Sequence, residues 1–328
     1  MMIPALDFAH AYGAPQTPAV FRRSPEDFVV EECLDMPLTG EGEHFWLKIR
    51  KRGENTDWIA TKLANYFSVR AMDVGYGGKK DRHAVTTQWF SVYLPKSSHA
   101  IDWSAFLEMS GVDAQLLASS SHKSKLRKGE HDANAFVIRL HEIPEPKALV
   151  TRLEKILIDG VPNYFGEQRF GREGANLSKA EHWVKDPRSI RNKGLRGIVM
   201  SAARAYLFNR VLSLRVANET WRLSLPGDVA EPTPSGPLWG RGRTKTSEDT
   251  KKLEDEALLG FENWCAALEN VGLNQDRRAL VLKPNDLNWT IDGSSIALSM
   301  TLGPGQYATS VLREIAVLVT EQEQQSNE

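Results

Sequence analysis

Cysteine is scarce: Cys33 and Cys265 are the two in 328 residues, and they stand far apart. They offer neither a zinc-type spacing nor a disulfide framework, which favours a reducing compartment. Long apolar runs are missing as well. Stretches such as Ile315-Ala316-Val317-Leu318-Val319 fall far short of the ~20 residues that a membrane helix needs. No basic, apolar leader opens the chain at 1–13, so the expectation is a soluble cytoplasmic protein with no signal peptide and no span. Charge of one sign is not in excess: 41 Lys+Arg face 42 Asp+Glu, for a net −1. The overall balance therefore demands no polyanionic partner, although local basic patches stay open.

The familiar site motifs are absent too. Gly78-Lys79 invites a phosphate-loop reading, but that pattern needs glycine at 73 and Ser or Thr at 80, where the chain has Asp73 and Lys80. A dinucleotide fingerprint begun at Gly75 fits Gly77 and then meets Lys80. No His-Glu-x-x-His and no Gly-x-Ser-x-Gly occurs. The common nucleotide, metal and serine-hydrolase classes lose their support.

What is present is an ordinary globular composition, 41% hydrophobic and 25% charged. It excludes a disordered chain, a coiled coil and a collagen-like fibre, and the length suggests two domains. The first third alternates strand and helix patterns. Strands are expected over 27–33, 44–50, 87–94 and 134–140, a short strand running into a glycine turn over 73–78, and helices over 57–68 and 146–158. From about 163 to 282 helices dominate. The longest is expected over 201–216, another over 251–268, and a Pro- and Gly-rich loop over 225–240. Strand patterns return at 279–282 and 296–302. A final helix is expected over 308–319, and the polar tail 321–328 should fray. Strands at both ends around a helical block read as a sheet core carrying an insertion.

One segment carries chemistry on its face: Gly77-Gly78-Lys79-Lys80-Asp81-Arg82-His83-Ala84-Val85. It puts a single carboxylate just after a glycine turn, among cations that favour its ionised form. An ionised Asp can act as nucleophile or stabilise a developing cation in glycosidic-bond chemistry. The plain alternative is an exposed charged turn. Two basic runs point to nucleic acid. One holds His122, Lys123, Lys125, Arg127, Lys128 and His131 against Glu130; the other holds Arg188, Arg191, Lys193, Arg196, Arg204, Arg210 and Arg215 with no acid between them. A solvated helix face is the plain reading of each. Phe28, Phe136 and Tyr307 lie at expected strand ends or turns, and Asn134 shares a face with Phe136 in an extended strand. That pair could stack on and read a base, though core packing would explain each ring alone.

These residues resemble a known family. Gly78-Lys79-Lys80-Asp81-Arg82-His83-Ala84-Val85-Thr86 is similar to the Gly-x-Lys-Asp motif region of the tRNA pseudouridine synthase D (TruD) family. The likeness continues, in order, through 25–32 (PEDFVVEE), Lys125-Leu126-Arg127, Asn134-Ala135-Phe136, 161–171 (VPNYFGEQRFG), Ser201-Ala202-Ala203-Arg204 and 308–314 (ATSVLRE). The resemblance implies an α+β fold: a pseudouridine-synthase-like mixed sheet core formed by 1–162 with 283–328, and a helix-rich α/β insertion domain over 163–282. It implies an isomerase that converts uridine to pseudouridine at position 13 of tRNA. Asp81 would be the catalytic nucleophile, Phe28, Asn134 and Tyr307 would bind the target nucleotide, and Phe136 would stack on the base. Lys80, or a more distant arginine, would pair with Asp81, and Lys80 counts among the expected substrate-binding residues. The basic run at 123–128, Arg169 and the region 188–204 would grip the tRNA backbone. No metal and no organic cofactor is implied, and a monomer is expected. Two departures stand out: Tyr307 where the family pattern has Phe, and a short stretch over 214–240. A non-catalytic RNA-binding protein on the same fold and a glycosidase-like hydrolase are the competing readings; the second usually wants two carboxylates, for which Glu31 or Glu32 would have to serve.

Overall fold

A computed structural model describes residues 5–36, 38–95, 100–229 and 234–319. The chain forms two compact units, neither of them contiguous in sequence. One comprises Thr17–Lys147, Pro284–Gly305 and the residues from Val317 on; the other comprises the chain up to Gln16, Ala148–Lys283 and Gln306–Ala316.

The first unit is built on a mixed sheet. Its early strands are β1 (Pro18–Phe21), β2 (Phe28–Cys33), β3 (His44–Arg52), β4 (Val74–Tyr76), β5 (Val85–Tyr93), β6 (Ala114–His122) and β7 (Ala133–His141). In β3, Phe45, Leu47 and Ile49 alternate onto one buried face, and helix α1 (Thr56–Tyr66) covers them with Ile59 and Leu63. The Asn55 side chain starts that helix by accepting from the Asp57 N–H at 2.8 Å. Trp46 points to the opposite face and packs with Trp89 and Leu126. Helix α2 (Trp103–Ser110) ends at Gly111 in the left-handed conformation. β6 and α2 have weak periodicity, and the sequence patterns do not mark them.

The other unit is mainly helical. It holds α3 (Pro146–Asp159), β8 (Val161–Pro162), α4 (Ala175–Lys185), α5 (Lys193–Ala217), β9 (Ser235–Leu238), α6 (Glu248–Ala257), α7 (Glu262–Asn270), β10 (Asp276–Ala279) and β11 (Val281–Leu282). Its core gathers Phe8 with Leu177 and Trp183 of α4 and Ala203, Tyr206, Leu207 and Val211 of α5. Three expectations change here. The helix expected over 251–268 is two helices, α6 and α7, parted by Gly260 at φ 83°. Within the stretch expected to be loop over 225–240, Ser235–Leu238 pairs antiparallel with β10. Gly236 lets that strand lie against Phe208 and Leu280, where a Cβ would sit 3.0–3.1 Å from their side chains. The longest helix begins at Lys193 rather than 201, capped by the Asn192 side chain, which accepts from the Leu195 N–H.

The chain then returns to the sheet with β12 (Asn285–Asp292) and β13 (Ser295–Leu302), gives the helical unit the short α8 (Ala308–Leu312), and ends in β14 (Val317–Val319). Among the described residues the sheet has ten strands, with the path β12-β13-β7-β2-β5-β3-β6 and with β1, β4 and β14 off it. The helix expected over 308–319 stops at Leu312, because the β-branched, apolar end pairs parallel with β1. The tail 321–328 lies outside the described residues. No helix among the described residues is long and apolar enough to cross a membrane.

Candidate active site

In the sheet unit, Asp81 sits in the segment that joins β4 to β5. Polar contacts hold that segment in place. The Lys80 N–H donates to Thr56 Oγ1 at 2.9 Å, Thr56 donates to Gln88 Oε1 at 2.8 Å, and Gln88 Nε2 donates to the Gly78 carbonyl at 3.0 Å. Gly77 packs against the Glu32 carboxylate, where a Cβ would stand 3.2 Å from it, and its carbonyl accepts from the Gly129 N–H at 2.8 Å.

The cations around Asp81 divide their duties. Lys79 pairs with Asp57 at 2.6 Å. Lys80 is nearly buried; it pairs with Glu32 at 3.0 Å and donates to Asn134 Oδ1. Asp81 is instead held by Arg22, at 3.1 Å, with about a third of the carboxylate side chain exposed (32%). The expected pairing thus resolves to the distant arginine. Arg22 holds a left-handed backbone at φ 58° and lays its guanidinium over the rings of Phe28 (4.3 Å) and Phe21 (4.8 Å). Lys51 is a further buried cation and donates to the Glu54 carbonyl at 2.6 Å. Burial pushes its ammonium down to about 8, against the upward pull of Asp81 and Glu54.

Register explains the rest of the cluster. Glu32 lies directly across from Asn134, and Val30 from Phe136, in the antiparallel pair β2–β7. Lys80 therefore reaches both members of one cross-strand pair. With its oxygen engaged by Lys80, the Asn134 amide offers its N–H groups to a ligand. Phe28 is buried, edge-on to Phe21 at 5.6 Å and tilted to Phe136 at 5.9 Å. Phe136 lies within β7, not at its end, and is the more open of the two rings. The sheet unit thus brings together Asp81, Lys80, Asn134, Phe28 and Phe136.

Tyr307 belongs to the helical unit, just before α8. Its hydroxyl accepts from Arg169 at 2.7 Å, and its ring lies 6.0 Å from Phe165. The segment leading to Arg169 is pinned by Asn209 of α5, which accepts from the Phe165 N–H and donates to its carbonyl at 2.9 and 3.0 Å. Ser310 of α8 donates to the Tyr164 carbonyl at 2.8 Å.

The family model for tRNA pseudouridine synthase D (TruD) matches residues 8–180. The chain belongs to the TruD family. It is 47% identical to the tRNA pseudouridine synthase D of Cellvibrio japonicus over 97% of this chain and 95% of that protein. It is 42% identical to the one of Nitrosococcus oceani over 93% of each chain, and 39% identical to that of Vibrio campbellii over 94% and 95%. The α+β fold matches the crystal structure of a Methanosarcina mazei protein solved as a candidate TruD, with a TM-score of 0.67 over 94% of this chain and 95% of that one, at 20% identity.

Two groups, Arg22 and Arg278, are not evident from sequence patterns, and a third, Glu32, closes the motif at 25–32. Arg22 stands three residues before the motif at Pro25, with nothing local to mark it. Glu32 carries a signal: it continues the inward alternation of Phe28 and Val30, so it is a charge on a core face. Arg278 has none. The basic runs thin out in this TruD chain. His122 is buried against Trp46 at 4.3 Å, and Lys125 donates to the Met72 carbonyl at 2.5 Å. Arg204 donates to the Leu238 and Asn274 carbonyls, Arg210 to the Ala257 carbonyl, and Arg215 is buried beside Asp228. Arg188, Arg191 and Lys193 stay exposed.

Proposed function

We propose that this chain isomerises uridine to pseudouridine in tRNA, at position 13, with Asp81 as the nucleophile. The observation that carries the reading is identity of 37–47% to curated tRNA pseudouridine synthases D over nearly the whole chain. The arrangement around Asp81 supports it. The reaction breaks the bond from uracil N1 to ribose C1′, joins C5 to C1′, releases the C5 proton and protonates N1. It is redox-neutral overall, so no cofactor is required by its balance.

In this scheme Arg22 holds and aims the Asp81 carboxylate, which acts as the nucleophile towards the target nucleotide. The nucleotide must leave its stack to reach it. Phe136 offers a face for the uracil, backed by Phe28, and the Asn134 N–H groups meet a uracil carbonyl; cytosine presents an amino group in place of O4. Tyr307 is assigned to nucleotide binding by the family resemblance alone; its hydroxyl accepts from Arg169. In domain terms 1–162 with 283–328 form the catalytic core, and the helix-rich 163–282 is the family-specific insertion that contacts the tRNA. The protein acts as a cytoplasmic monomer.

The test is tritium release from tRNA labelled at uridine C5. Wild type releases it to water and leaves pseudouridine in the RNA. Asp81→Asn, matched to wild type by circular dichroism, is expected to lose at least about 10³-fold in rate. Release by Asp81→Asn at the wild-type rate would remove Asp81 from the chemistry. A folded wild type that binds tRNA without release would leave a binding protein on this fold.

A further inference from the structure

The helical unit treats its buried arginines in two different ways. Arg215 and Arg277 are almost sealed from solvent and neutralised: Arg277 pairs with Glu254 at 2.7 Å and approaches Asp228 at 3.8 Å, and Arg215 approaches Asp228 at 3.8 Å. Arg278, the next residue along β10, has no such partner. Its guanidinium donates to the Asn163 carbonyl at 3.2 Å and to Asn163 Oδ1 at 2.5 Å, and it lies over the rings of Phe165 (4.2 Å) and Tyr307 (5.9 Å). Arg169 comes to the same two aromatics, 5.7 Å from the Phe165 ring and 2.7 Å from the Tyr307 hydroxyl, and donates to Ser201 at 3.2 Å. Among the described residues neither arginine makes an ion pair with a carboxylate.

Two guanidiniums gathered on shared rings without a counter-charge are costly in a free protein. Burial, with the charge of Arg169 adding to it, pushes Arg278 down to about 10, as expected where no anion is built in. Asn163 accounts for only part of the fork of Arg278, and Ser201 and Tyr307 for part of that of Arg169, so both keep N–H groups to donate. Planar forks of this kind, backed by aromatic faces, suit the paired oxygens of a phosphate.

We propose that Arg278 and Arg169, set on Phe165 and Tyr307 and oriented by Asn163 and Ser201, form an anion site that takes one phosphodiester of the bound RNA. The site deepens the functional reading above and rests on its claim that the substrate is RNA. It gives the tyrosine at 307 a purpose that phenylalanine would lack, because the hydroxyl fixes Arg169.

The experiment uses the full chain and a series of otherwise identical tRNAs, each with one uncharged methylphosphonate in place of a different backbone linkage. Affinities are measured for wild type, Arg278→Met and the less buried Arg169→Gln, with folding checked by circular dichroism. One linkage is expected to cost wild type about tenfold in affinity when neutralised, and an arginine variant less than about threefold. The same variant's salt slope should be shallower by about one. Inorganic phosphate, as an independent probe, should raise the thermal midpoint of wild type more than that of either variant. Strictly additive losses at every linkage, or no RNA binding by wild type, would overturn the site. Coupling without pseudouridine formation would sink the catalytic reading alone, and pseudouridine formation without coupling would sink the site alone.

Discussion

At the scale of single residues, the proposed chemistry depends on one ion pair and on the backbone that presents it. Arg22 reaches Asp81 from a left-handed conformation, which costs an L-residue about 1–2 kcal/mol. Strain held beside the carboxylate proposed as nucleophile fits a site where function takes precedence over stability. Replacing Arg22 by alanine or by glycine removes the same guanidinium, but only glycine relieves the backbone. Both variants should lose about 10²-fold in turnover, while the glycine variant should be more stable than the alanine one by about 1 kcal/mol in urea unfolding. Equal stabilities would mean that the conformation carries no strain. Lys51 supplies a pH test. Its ammonium is pushed down to about 8 by burial, from an ordinary 10.5, so the unfolded chain binds more protons between these values. Stability contributed at this position is therefore gained as pH rises from about 8 to 10.5, by at most about 3 kcal/mol. Urea curves of wild type and Lys51→Met across pH 7–10 should diverge upward for wild type above pH 8; parallel curves would show that Lys51 titrates normally in the fold.

At the scale of elements, Asp81 is aimed by its neighbours in the sheet. Lys80 lies between Glu32 on β2 and Asn134 on β7, so one buried ion pair ties the Asp81 segment to two strands. Lys80→Met leaves the Glu32 charge buried alone and should cost about 3–5 kcal/mol. Adding Glu32→Gln should recover much of that stability, since Gln still accepts from the Trp89 N–H, without recovering activity. Unfolding free energies of the two singles and the double decide it, and additive losses would mean that the pair is not coupled. The elements also show how far the chain can be read. Alternation locates β2, β3, β5, β7 and β13 to within two residues, because each buries one face and its period is plain in the sequence. It fails where a tertiary partner decides the outcome. The apolar run at 315–319 looks like the end of a helix and becomes β14 because β1 offers it an edge. Ser235–Leu238 is too rich in Gly and Pro to look like a strand and is one because β10 pairs with it. The proposed site divides the same way. Asp81, Asn134, Phe136 and Glu32 lie in contiguous motifs, whereas Arg22 and Arg278 lie in none and acquire their neighbours only through folding.

At the scale of the molecule, a chain of net charge −1 has no general attraction for a polyanion, so RNA affinity must come from where its cations sit. The run from 188 to 215 reads in sequence as a single basic face. Folding divides it: Arg204, Arg210 and Arg215 spend their donors on carbonyls or on Asp228 inside the helical unit, and Arg188, Arg191 and Lys193 remain in solvent. Exposed cations bind phosphate mainly by releasing counterions, and removing one such cation flattens the salt dependence by about 0.9. The double variant Arg191→Gln/Lys193→Gln should therefore weaken tRNA binding, reduce the slope of log affinity against log salt by nearly two, and leave the unfolding midpoint where it was. Arg204→Gln should do the reverse. It removes donors from the Leu238 and Asn274 carbonyls, so stability should fall by about 1–2 kcal/mol while the salt slope holds. Titrations at several salt concentrations, paired with urea unfolding of the same proteins, separate the two kinds of arginine. If Arg191→Gln/Lys193→Gln leaves the slope intact, tRNA is not gripped here, and the exposed part of the run, the loop before α5 and its first residue, is solvated surface.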